Sequence, residues 1–320
     1  MTARTEEAYE LYRVTTPVLE IAYHRTGERR RASAAPVILL HGFPYDVRAY
    51  DEVARLLAEA GREVLTPYLR GYGPTRFLDA GTMRSGQQAA LARDLVEFMD
   101  ALGIERAVVA GYDWGGRAAC AAAALWPERV HGLVAAGGYT VQDIARAMEP
   151  AAPEAERGLW YQYYFHSERG RQGLEQNREE LCGLLWRLWS PTWAGAAEAF
   201  AASAASLHNP DFVDVAIHSY RHRFGLVEGD PRYREAEDAL AGRPTVVVPT
   251  VVLVGEENGV IPVADQTGTE RFTGPCEVRT LPGVGHNVPQ EAPGAFAAAI
   301  LGLQGESFRG RGERKPEHRH

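Results

Sequence analysis

Residues 107–116 read Ala-Val-Val-Ala-Gly-Tyr-Asp-Trp-Gly-Gly, an unbroken apolar run that ends on an acid framed by glycines. Ala107 to Ala110 predicts a strand buried on both faces, and Arg117 to Trp126 predicts a helix of small residues. Between them Gly111, Asp113 and Gly115 spell G-x-D-x-G. In turns of the form G-x-S-x-G the central residue sits on a strained strand-to-helix bend. That bend lifts its side chain above the sheet, and the flanking glycines prevent clashes. Asp113 occupies the nucleophile position of such a turn. The plainer alternative is a turn carboxylate that caps the helix.

Working outward, the same alternation of strand and helix extends to both sides. Leu11 to Arg25 alternates like a strand pair broken at Thr16-Pro17, and Pro36 to Leu40 is a second continuous apolar run. Val53, Leu56, Leu57 and Ala60 fall at helical spacing before Gly61, and Glu63 to Pro67 predicts a short strand. Leu91, Leu95, Phe98 and Leu102 give another helix, stopped at Gly103, and Val130 to Ala136 a further strand. Such alternation implies right-handed crossovers and a parallel sheet covered on both faces. From 141 to 243 there is no strand pattern, only helical stretches rich in Trp and Tyr. Strands resume at Thr245 to Val254 and Glu277 to Leu281, followed by a helix with Phe296, Ile300 and Leu303 inward. The expected organisation is a core of residues 1–140 and 244–303, a helical insertion at 141–243, and a polar, disordered tail at 304–320.

Composition narrows the function classes. The chain has 320 residues, 45% hydrophobic, and a net charge of −8, which argues against nucleic acid or an anionic membrane as partner. No apolar stretch approaches the roughly 18 residues of a membrane span, and no secretory signal is read at the start. Cys120, Cys182 and Cys276 are odd in number and far apart, pointing to a reduced, cytoplasmic protein. Lys315 is the only lysine, so Schiff-base chemistry in the body of the fold is excluded. Neither metal-ligand spacing nor a phosphate loop occurs, and no cofactor is expected. The partner expected is a small apolar organic substrate; a homodimer is left open.

Two more pieces join Asp113. His41-Gly42-Phe43-Pro44 follows the Pro36 to Leu40 strand, and Gly283-Val284-Gly285-His286-Asn287 follows the last one. HGFP, RGYGPT (Arg70 to Thr75), GYDWGG, GxGH and a helical cap after the sixth strand resemble α/β-hydrolases of the epoxide hydrolase group, related to haloalkane and fluoroacetate dehalogenases. The resemblance implies an α/β-hydrolase fold, a mostly parallel central sheet with helices on both faces and an inserted helical cap. It implies an oxyanion hole from the backbone N–H groups of Phe43 and Trp114. A carboxylate is already ionised at neutral pH, so Asp113 could displace an epoxide oxygen or a halide from carbon unaided. His286 would then act as general base in hydrolysing the resulting alkyl ester.

The cap separates the two leaving groups. Trp160 to Phe165 (WYQYYF) is similar to the epoxide hydrolase segment whose first Tyr activates the ring oxygen, here Tyr161. His218-Ser219-Tyr220-Arg221 is similar to the segment supplying the second such Tyr, Tyr220. Dehalogenases acting on fluoroacetate carry His-Trp where this chain has Tyr161-Gln162. Trp114, Tyr161, Gln162 and Tyr220 are the expected substrate-binding residues. The alternative for the tyrosines is aromatic packing of a cap helix.

The chain departs from the family at the triad acid. Its loop reads Gly255-Glu256-Glu257-Asn258-Gly259, placing Asn258 at the acid position; Asp143 is a distant substitute. Three readings follow: Asn258 orients His286 through its amide oxygen, Glu256 or Glu257 reaches round to do so, or turnover is slow or lost and the protein only binds its ligand. An Asp-to-Asn change at this role costs about 10⁴ in rate in a serine protease.

Overall fold

The computed structural model of the protein describes residues 10–28 and 35–303. Its strands are β1 (Leu11–Thr15), β2 (Leu19–Thr26), β3 (Val37–Leu40), β4 (Val64–Pro67), β5 (Arg76–Phe77), β6 (Ala107–Tyr112), β7 (Val130–Ala136), β8 (Thr250–Gly255) and β9 (Cys276–Leu281). They form one sheet in the order β1-β2-β4-β3-β6-β7-β8-β9, with β5 on β2. From β4 to β9 every pair is parallel, and β1, β2 and β5 add an antiparallel edge. β3, β4, β6 and β8 are buried along their whole length, because helices cover both faces of a parallel sheet. β1 alternates exposed and half-buried residues, as an edge strand with one wet face must.

The core helices are α1 (Asp51–Glu59), α2 (Gln88–Ala101) and α3 (Asp113–Leu125). After β7 come α4 (Pro153–Gly158), α5 (Trp160–His166), α6 (Glu168–Gln176), α7 (Arg178–Trp189), α8 (Ala196–Ser203), α9 (Phe212–His222) and α10 (Arg234–Ala241). The chain closes with α11 (Val263–Gln266), α12 (Val288–Glu291) and α13 (Pro293–Gly302). Strand order reverses at β3, which has β4 on one side and β6 on the other. In an open parallel sheet the crevice beyond the carboxyl ends of such strands is the natural ligand site.

Several expectations change. The Thr245 to Val254 strand begins only at Thr250: Pro244 and Pro249 lack N–H donors, and residue 246 makes only an isolated bridge to Phe272. β5 is too short to show a period, so the helical insertion follows the seventh strand rather than the sixth. The helix expected from Arg117 already begins at Asp113. Within the 141–243 stretch, α10 packs on α2 and α3, making it the crossover helix that delivers the chain to β8. The expected tail at 304–320 lies outside the described residues. No helix among the described residues is long and apolar enough to cross a membrane.

The RGYGPT segment carries a buried ion pair. Arg70 is fully buried and grips Asp94 of α2 with Nε and Nη2, each at 2.6 Å; it also donates to the Ser85 carbonyl and the Tyr233 hydroxyl. Asp94→Ala would strand that guanidinium in the core. The variant is expected to lose about 3–5 kcal/mol of stability, read by chemical denaturation.

Candidate active site

Asp113 is the first residue of α3 and takes a left-handed φ of 49°, which L residues seldom adopt. The turn closes because its neighbours lack side chains. A Cβ on Gly115 would lie 1.9 Å from the Leu40 carbonyl oxygen, and one on Gly42 would lie 2.5 Å from Asp113 Cβ. The strain lifts the carboxyl into the crevice beyond β3 and β6. There its Oδ1 accepts the N–H of Phe43 at 2.7 Å and of Trp114 at 2.6 Å. Oδ2 accepts no such bond and lies 3.5 Å from His286 Nε2. Burial works against ionisation of Asp113, but His286, Arg117 and the Phe43 N–H outweigh it and hold the carboxyl below its usual range. The α3 N-terminus also favours an anion here.

His286 stands in the loop after β9. Its backbone N–H donates to the Trp189 carbonyl at 3.1 Å, and its ring meets the Trp189 ring edge to face at 5.2 Å. Neither ring nitrogen makes a hydrogen bond. Asn258 is therefore not brought to it: its Oδ1 accepts the N–H groups of Val260 and Ile261 at 3.0 and 3.1 Å, stabilising its own turn. Glu256 and Glu257 are exposed and give His286 no hydrogen bond, and Asp143 faces Arg243 at 3.5 Å. The carboxylate that does serve this loop is Glu291, which the sequence reading missed. Its Oε2 accepts Gly285 N–H at 2.7 Å, and its Oε1 accepts Asn287 N–H at 3.0 Å and Ser190 Oγ at 2.6 Å. It braces the backbone on both sides of His286 without touching the ring. Position five after a histidine has no spacing rule that would have flagged it.

The insertion closes the crevice with aromatic rings. Tyr161 from α5 and Tyr220 from α9 are buried and meet edge to face at 5.4 Å. Tyr220 also lies 5.1 Å from the Phe43 ring and 5.9 Å from Trp114. Gln162 Nε2 donates to the Tyr161 hydroxyl at 3.1 Å, which leaves the hydroxyl proton free to be given elsewhere. The Tyr220 hydroxyl and Trp114 Nε1 are buried without a partner. Burial and the Asp113 charge push Tyr161 up to about 12, so it stays protonated through the neutral range; burial raises Tyr220 well above the usual phenol range. A cleft of about 490 Å³ lies between α4–α5 and the 258–262 loop, lined in part by Trp160, Trp189 and Asn258. Trp189 thus walls both this cleft and His286.

His41 is structural. Its Nε2 accepts Leu69 N–H at 3.1 Å, and burial lowers its pKa to about 4, keeping it neutral. Tyr163 is partly exposed and bonds Glu156, away from the crevice. Two arginines went unread: Arg117, four residues after Asp113 and hence on its helix face, and Arg223, whose guanidinium lies 4.1 Å over the Tyr220 ring.

Among the described residues, the arrangement offers an anchored carboxylate oxygen beside a free one, a histidine, two N–H donors and two phenol donors. A family model described as alpha/beta hydrolase fold matches residues 35–293. Epoxide hydrolase A of Mycobacterium tuberculosis is 30% identical over 308 residues, spanning 87% of this chain and 92% of that protein. The crystal structure of a candidate epoxide hydrolase from Klebsiella pneumoniae is similar with a TM-score of 0.89 and 44% identity, over 92% of this chain and 97% of that one. Another candidate epoxide hydrolase, from Pseudomonas aeruginosa, gives a TM-score of 0.75 and 25% identity over 96% and 99%.

Proposed function

The chain belongs to the epoxide hydrolase family of alpha/beta hydrolase fold enzymes, and from that premise we propose that it opens an epoxide to a vicinal diol through an alkyl ester on Asp113. One observation carries the reading: Asp113 presents a free Oδ2 while both backbone donors hold Oδ1, beneath two buried tyrosine hydroxyls.

In the first step Oδ2 displaces the ring oxygen from carbon, and the broken C–O bond leaves an alkoxide. Tyr161 or Tyr220 supplies the proton, the first with its hydroxyl already oriented by Gln162. In the second step His286 takes a proton from water, whose oxygen attacks Asp113 Cγ. Charge then collects on Oδ1, where the Phe43 and Trp114 N–H groups already point. Collapse breaks the Cγ–Oδ2(alkyl) bond and releases the diol, which takes the proton from His286, and the proton left on the Asp113 carboxyl returns to the tyrosinate, restoring the resting site.

Tyr161→Phe and Tyr220→Phe are each expected to slow ester formation on styrene oxide by about 10²-fold, and the double variant by more, up to about 10⁴-fold. Rapid-mixing fluorescence of the site tryptophans reads that step. A double variant with full activity on epoxides would overturn the assignment. A second reading, displacement of halide from a haloalkane or haloacid, draws on Trp114 Nε1, a buried N–H donor with no acceptor. Halide release measured beside diol formation separates the two.

A further inference from the structure

The loop that carries His286 is held by the helical insertion. At the end of α7 the Trp189 carbonyl accepts His286 N–H at 3.1 Å and Gly259 N–H at 3.0 Å. Ser190, the next residue, donates its hydroxyl to Glu291 Oε1 at 2.6 Å. Glu291, the last residue of α12, accepts the N–H groups of Gly285 and Asn287, the main-chain donors on either side of His286. The approach depends on Gly285, since a Cβ there would lie 2.7 Å from Ser190 Cα. One carboxylate thus ties the insertion to both flanks of the histidine.

Glu291 has these three donors and, among the described residues, no cation. It is half-buried, and its charge is felt inside the site: burial first, then the Asp113 and Glu291 charges, raise the pKa of the buried Tyr45 hydroxyl. The Tyr45 ring lies 6.2 Å from that of His286. In the resting site Asp113 supplies the negative charge that faces His286, at 3.5 Å. Once Asp113 is esterified that charge is gone, and hydrolysis must build an imidazolium without it. Glu291 takes no part in the bonds that form and break, and remains.

We propose that Glu291 is a positioning residue for ester hydrolysis, doing for His286 part of the work of the triad acid that Asn258 replaces. It fixes the loop through two backbone bonds and stabilises the imidazolium by its charge, while Ser190 of the insertion holds it in place. This rests on the covalent reading and deepens it: ring opening needs neither residue, whereas ester cleavage needs both. Glu291 does not bond the ring, so it returns less than a directly bonded acid would.

The test follows the two steps separately on the full-length protein, mixing it with styrene oxide, quenching at set times and weighing the intact chain. In Glu291→Gln ester formation is expected to stay within about twofold of the parent, while ester decay slows about tenfold or more. Glu291→Asp restores the charge and recovers part of the decay rate, which a loss of packing alone would not do. Ser190→Ala keeps every charge and removes one tether, and its ester is expected to decay about threefold more slowly. That variant decides if Glu291→Gln fails to fold. Ester decay at the parental rate in Glu291→Gln, or in Ser190→Ala where it is the one that folds, overturns the inference and leaves the epoxide reading standing. Equal losses in both steps with a lowered thermal midpoint would assign Glu291 to the stability of the fold and also overturn it. A parent that forms neither ester nor diol ends the epoxide reading itself.

Discussion

Asp113→Ala removes diol formation, by on the order of 10⁴- to 10⁶-fold, and with it any mass increase of the protein on mixing with an epoxide. The size of the effect follows from the absence of a substitute. Glu291 is committed to Ser190 and to two backbone N–H groups, and Glu256 and Glu257 face solvent. The Phe43 and Trp114 donors would remain, but they stabilise charge on an ester that could no longer form. Alanine also tolerates the left-handed backbone at position 113 less well than aspartate does. Activity is therefore compared with a thermal melt of the same sample, and with Asp113→Asn, which keeps the shape. A folded Asp113→Ala protein within tenfold of the parent would end the covalent mechanism.

His286→Phe separates the two halves of the reaction. Attack by Oδ2 needs no base, so the ester should form at close to the parental rate and then persist. Steady-state turnover falls by about 10²- to 10⁴-fold, the usual contribution of a general base. Intact-protein mass spectrometry should find nearly one substrate mass added per chain. The parent should lean the same way, because among the described residues no carboxylate accepts a hydrogen bond from His286 Nδ1. We expect a rapid burst of ester followed by slow hydrolysis, the loss placed on the second step alone. A parent with ordinary turnover and no adduct would mean that His286 finds support during the reaction that the resting site does not provide.

The fold was legible in the sequence where its cause is local. Apolar runs closed by glycine located β3, β6 and β7, and the G-x-D-x-G spacing placed Asp113 on a strand-to-helix turn because that turn is decided within five residues. Tyr161 and Tyr220 were legible only through resemblance, since their convergence depends on α5 and α9 packing together. What escaped had distant causes. Whether Asn258 faces His286 or its own loop is settled by how residues 258–261 turn, a difference that the letter N does not encode. Arg117 could be placed on the face of Asp113 by counting, but that its charge helps to hold Asp113 ionised is known only from the folded site. α10 looked like any helix of the insertion because a crossover helix and a cap helix share the same period.

Both donors that hold Asp113 Oδ1 are main-chain N–H groups, and this sets what inheritance can change. Replacing Phe43 or Trp114 by any residue except proline leaves the donor in place. These two donors are thereby insulated from most point mutations. The roles proposed for Tyr161, Tyr220 and His286 rest on side chains, each removable by a single substitution. A lineage built on this frame can exchange its leaving group or its substrate while keeping both backbone donors in place.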